Sequence, residues 1–178
     1  MKNMKLIVLP LIFASAAYAA AGEAPRVDRL QIEKVEKNLD ATLLRFTTDN
    51  SHTLIGLTRG VYLEGVGAVF TAEVIVVNAP VNIMHPLPSK EEIVQMRKKK
   101  VERIPLLKRI LKDALVAAAG SLETIPADEQ VVIAVIVPRF TFEDAAGLPA
   151  QVTVQASKRK LLESKGAALD ALIRVTDN

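Results

Sequence analysis

Cysteine and tryptophan are absent from this sequence of 178 residues, and rings are otherwise scarce: two Tyr, five Phe and two His. Without cysteine there is no disulfide framework, no thiolate nucleophile and no lipid-modified cysteine at an export cleavage site, so the fold has to stand on its core. The scarcity of rings argues against single-stranded nucleic acid as a partner, because such platforms stack bases on aromatic side chains. No serine lies in a G-x-S-x-G context, and His52 and His85 are the only imidazoles, which leaves little from which to build a hydrolytic triad. His52 falls in a turn and His85 in a proline-rich connection, places that suit solvated or locally bonded histidines. Asp49 near His52 is the one local hint of a metal site, and a site needs a cluster. No metal and no cofactor is expected.

Long apolar runs are equally scarce past the N-terminus. There, Lys2 and Lys5 precede an apolar stretch from Leu6 to Ala17 that leads into Ala17-Tyr18-Ala19 and Ala19-Ala20-Ala21. A charged start, an apolar centre and small-x-small sites make a secretory signal peptide, so residues 1–21 are read as a signal and 22–178 as a single domain. The stretch is shorter than the ~20 residues of a spanning helix and contains Pro10. The expected location is periplasmic or secreted. Loss of Lys2 and Lys5 takes the 23 basic residues to 21 against 20 acidic ones, so the mature chain is nearly neutral. An argument from high pI to nucleic acid therefore fails, and any electrostatic function has to come from local clustering.

Periodicity predicts an α+β fold: a largely antiparallel sheet of about five strands with a long kinked helix on one face, plus N- and C-terminal helices. A first helix is expected over about 28–40, with Leu30, Val35 and Leu39 at helical spacing. "TLLRFT" (42–47) and "TLIGLTRGVYLE" (53–64) read as two strands around a turn at Asp49, Asn50 and Ser51. "GVG" (65–67) reads as a three-residue hairpin loop, which pairs Tyr62 with Phe70, Leu63 with Val69 and Arg59 with Glu73. A phosphate-binding loop is a poor alternative, because Ala68 and Val69 follow where a Lys and a Ser or Thr belong. Glu64 and Glu73 lie too far apart along such a hairpin to act as a catalytic pair.

Ser89 opens "SKEE", a capping box with Glu92, and the helix it starts should run toward Gly120 with a kink or break at Pro105. "QVVIAVIV" (130–137) has the unbroken apolar run of a strand covered on both sides, and "QVTVQA" (151–156) alternates as a strand nearer an edge. Ser157 is placed to cap a last helix through "KRKLLES" and past Gly166.

The most unusual local feature is "RKKKVERIPLLKRILK" (97–112), in which Arg97, Lys98, Lys99, Lys100, Arg103, Lys108, Arg109 and Lys112 face a single acid, Glu102. On a helical wheel Arg97 and Lys100 fall in line with Ile104, Leu111 and Ala118, so either Pro105 redirects the chain or the segment before it projects from the body, and both outcomes put 97–103 in solvent. These eight residues are the candidate binding surface, with an envelope protein or an anionic polymer or lipid surface as the expected partner. A non-enzymatic envelope binding protein is the reading this favours. The alternative from another class is a small envelope hydrolase using the loop carboxylates Glu143 and Asp144, and association of copies through exposed strand edges is a further possibility.

Overall fold

The computed structural model describes residues 27–46, 53–81, 83, 84 and 86–178; the expected signal segment, the turn at 49–51, His52 and His85 lie outside them. The chain is α+β, with element order α1 (Arg29–Phe46), β1 (Thr53–Leu54), β2 (Arg59–Leu63), β3 (Gly67–Ile75), α2 (Lys90–Ser121), β4 (Gln130–Ile136), β5 (Gln151–Ser157), α3 (Lys158–Glu163), α4 (Gly166–Leu172) and β6 (Arg174–Asp177). One sheet runs β1-β3-β4-β5-β6, with β2 beside β1 on the same flank of β3. Among the described residues only β3 and β4 pair in parallel. That geometry needs a crossover connection, and α2 supplies it.

The first helix is longer than its sequence suggests. Ile32, Val35, Leu39 and Leu43 form one buried stripe, and Leu43 is wholly inaccessible, so "TLLRF" is helix through Phe46 and not the expected strand. Thr42 accommodates this by donating its hydroxyl back to the Asn38 carbonyl. The stripe continues the period set further upstream, and burial of Leu43 outweighs the weak β preference of Thr and Phe.

α1 also completes the sheet flank. The Glu36 carboxylate accepts from the Gly60 amide at 2.7 Å, Arg29 donates to the Gly60 carbonyl at 3.0 Å, and Asp40 takes both the amide and the hydroxyl of Thr58. These side chains occupy backbone groups that an edge strand otherwise offers to another chain. Association through this edge, as read from the sequence, is thereby obstructed. The single strand expected over 53–64 is interrupted between Leu54 and Arg59, where Gly56 turns with φ 71°.

The hairpin exists, but its register is two residues from the expected one. Leu63 closes on Gly67 around a turn at Glu64, Gly65 and Val66, so Tyr62 faces Ala68, Gly60 faces Phe70 and Arg59 faces Thr71. A shift of two keeps every side chain on its expected face. Two glycines set the register. At Gly67 (φ 125°) a β-carbon would lie 1.9 Å from the Gln130 carbonyl oxygen, so this residue belongs inside the strand against β4. At Gly60 a β-carbon would lie 2.6 Å from the Phe70 ring, which fills the space opposite.

Every buried strand side chain lies on one face, where Phe70, Val74, Val131, Ile133, Val152 and Val154 meet the helices. β4 is central, but among the described residues it is covered on one side only: its burial alternates, and Ile136 is 45% exposed. β5 lies next to the edge strand β6, at the end of the stretch past Gly166 where the sequence predicts only helix.

α2 begins at the expected capping box, with Ser89 accepting from the Glu92 amide and Glu92 from the Ser89 amide. It then runs through Pro105 to Ser121 without the expected break. Pro105 and Val101, the residue whose carbonyl loses its usual donor, are both on the exposed side, where solvent is at hand. The expected C-terminal helix is two short ones, and Ser157 makes no side-chain cap.

Candidate interaction surface on the long helix

Met96, Lys100, Ile104, Leu107, Leu111, Leu115 and Ala118 make the buried stripe of α2, so a lysine occupies a core position in an otherwise apolar row. The expectation that residues 97–103 project into solvent is corrected here. Lys100 is 3% exposed, its Nζ is 2.5 Å from Glu143 Oε1, it reaches the Pro138 carbonyl at 3.4 Å, and it lies 5.7 Å from the centre of the Phe140 ring. Glu143 in turn accepts from the Phe140 amide. The helix stays unbroken because the loop between β4 and β5 brings a carboxylate to the one cation in its buried row.

The other candidates divide by partner. Arg97 donates to the carbonyls of Asp144 and Ala146 at 2.7 Å each and pairs with the Asp144 carboxylate, fastening the same loop. Arg103 is half-buried over the Phe46 ring. Lys108 pairs with Asp177 on β6, and Lys112 with Asp170 on α4 at 2.9 Å. Lys98, Lys99 and Arg109 are exposed, and their side chains make no hydrogen bond or ion pair among the described residues. Of the eight residues singled out in the sequence, these three are available to an outside partner.

An open depression of about 1070 Å³ lies between α2 and the C-terminal elements, lined by Lys108, Arg109, Lys112, Asp113, Asp170 and Asp177 among others. Its three cations face three carboxylates, so it carries no net field for an anion. The two carboxylates of the hydrolase alternative are placed otherwise than a cleft requires. Glu143 is committed to Lys100 and Asp144 to Arg97, and the cavity beside Lys100 and Glu143 holds about 10 Å³, barely one water.

A further polar cluster was not visible in the sequence. Glu129, at the start of β4, accepts from the Tyr62 hydroxyl and the Gly65 amide at 3.0 Å each, tying the hairpin turn to the centre of the sheet. Burial, then the hydrogen bond to Glu129 and the negative charge of Glu129 and Glu64, raise the Tyr62 phenol above its ordinary value of 10.0. Only the register joins these residues, which are far apart in the chain.

The chain matches no family model, no curated protein and no solved structure. Among the described residues no helix is long and apolar enough to cross a membrane, and no cluster of His and acidic residues could hold a metal ion.

Proposed function

We propose that the protein is exported to the periplasm or secreted, and that it binds an envelope protein or an anionic polymer or lipid surface through the solvent side of α2, without catalysing a reaction. The observation that carries this reading is the unpartnered exposure of Lys98, Lys99 and Arg109 in a basic segment whose other cations, Arg97, Lys100, Arg103, Lys108 and Lys112, are all engaged. Lys98 and Arg109 are three turns apart on one side of the helix, about 16 Å along its axis at ~1.5 Å per residue. Val94 and Val101, 63% and 52% exposed, lie on the same side and add apolar area between and beside the charges. The exposed acids Glu91 and Glu102 share this side, so a partner meeting the stripe gains apolar burial and a screened Coulomb attraction that they partly offset.

The test is sedimentation with vesicles of anionic lipid, and with an acidic envelope polymer, across a salt series. Replacing Lys98, Lys99 and Arg109 together by Gln should weaken binding and flatten its salt dependence. Stability should stay within about 0.5 kcal/mol, since all three are exposed. Equal binding by parent and variant at every salt concentration would reduce the stripe to an ordinary solvated face.

A further inference from the structure

Among the described residues, the helices cover one face of the sheet and leave the other bare. Register places Val61, Val69 and Val132 in one row across β2, β3 and β4, and Thr71, Ala134 and Thr153 in the next row across β3, β4 and β5. None of the six is buried, and none carries a charge. The charges that share this face stand around the six: Arg59 on β2, Arg174 on β6 and Glu73 toward the end of β3. Leu63 and Ile136, 47% and 45% exposed, extend the apolar area along the strands. A charge-free centre with a charged rim is the composition of a protein interface rather than of a solvated sheet. Parallel strands, moreover, ordinarily have both faces covered, and β3 and β4, the parallel pair, carry apolar residues on both.

We infer that this face is the interface between two copies of the chain, packed sheet against sheet. A second copy suits it better than an unlike partner because the face is self-complementary: about a two-fold axis, a valine row meets a valine or threonine row and no charge is carried to the centre. Five strands at ~4.8 Å spacing and about six residues at ~3.3 Å rise give a flat footprint of about 480 Å². Side-chain relief enlarges that footprint toward the roughly 800 Å² per partner of a standard interface. Pairing by edges is the competing mode, and it is hindered on the β2 side, where Glu36, Arg29 and Asp40 of α1 occupy the backbone groups. The inference is independent of the proposal for α2, which lies on the opposite face of the sheet.

The absence of cysteine makes the experiment clean. Sedimentation equilibrium of the chain should give the mass of a dimer. Thr71→Lys places a charge at the centre of the interface from an already exposed position, and it should raise the dimer dissociation constant at least a hundredfold while leaving circular dichroism and the melting temperature of the monomer intact. Ala134→Cys, on the central strand, should give a covalent dimer with a short bismaleimide, and Lys99→Cys should not. A single-chain mass at every concentration into the high micromolar range overturns the inference. So does a dimer that survives Thr71→Lys and cross-links at Lys99→Cys, which would place the contact on another surface, and so does a monomer whose bare face captures a different envelope protein. Loss of vesicle binding in the α2 variant with the dimer retained would leave this inference standing and concern the α2 surface alone.

Discussion

Replacing Lys100 by Met should cost far more than any other lysine substitution in α2. The side chains of Lys100 and Glu143 are 4% and 7% exposed and their charged atoms are 2.5 Å apart. Removing the ammonium leaves a buried carboxylate with the Phe140 amide as its remaining partner. Breaking a buried pair from one side typically costs about 3–5 kcal/mol, and replacing both partners by apolar groups of similar volume is often neutral. For a chain of this size that single change corresponds to a fall of about 6–20 °C in melting temperature. The assay is urea denaturation followed by far-ultraviolet circular dichroism, run as a cycle of Lys100→Met, Glu143→Leu and the double variant. The double variant should lie within about 1 kcal/mol of the parent, and the coupling should recover most of the loss seen in each single variant. Single variants within about 1 kcal/mol of the parent, or a double variant as unstable as the sum of the two, would refute the reasoning and return Lys100 to solvent.

Two other positions give sharp expectations. Gly60→Ala should destabilise by about 1–3 kcal/mol, as overpacking does, because the new methyl meets the Phe70 ring and Ile32; adding Phe70→Leu should recover part of the loss in the same urea titration. Tyr62 should ionise above the ordinary phenol range when phenolate absorbance is followed with pH. Since its pKa is raised by folding, the stability it contributes is complete below about pH 10 and is lost as the pH rises through the folded-state value. Glu129→Gln should move that ionisation downward, and no movement would detach the two groups.

How far the sequence could be read depended on the range of each determinant. The capping box at Ser89 is decided within four residues, and the alternation in "QVTVQA" within six, so both are seen in the structure. The hairpin at Gly65 was legible for the same reason. Its register was not, because the choice is made by Gly67 meeting Gln130 and Gly60 meeting Phe70, contacts absent from any local pattern. The helical run of "TLLRF" was hidden because Leu43 needs a core to fall into. The basic segment shows the limit most plainly. Its charge and its conflict with the wheel were visible, but the resolution of that conflict lies in Glu143, which appeared in the sequence only as a loop acid. The candidate surface shrinks from eight residues to three for that reason.

The parallel pairing of β3 with β4 has a kinetic consequence. α1, β2 and β3 are close neighbours in the chain, and the bonds of Glu36 and Asp40 to the β2 flank close short loops, so this N-terminal unit can assemble early. Gly67 reaches Gln130 only after all of α2 has been threaded between them. Closing that long loop should be the slow step, and until it closes, the inner edge of β3 and the apolar side of α2 stand open to other chains. A molecule sealed along its outer flank when folded is thus most exposed along its middle while it folds.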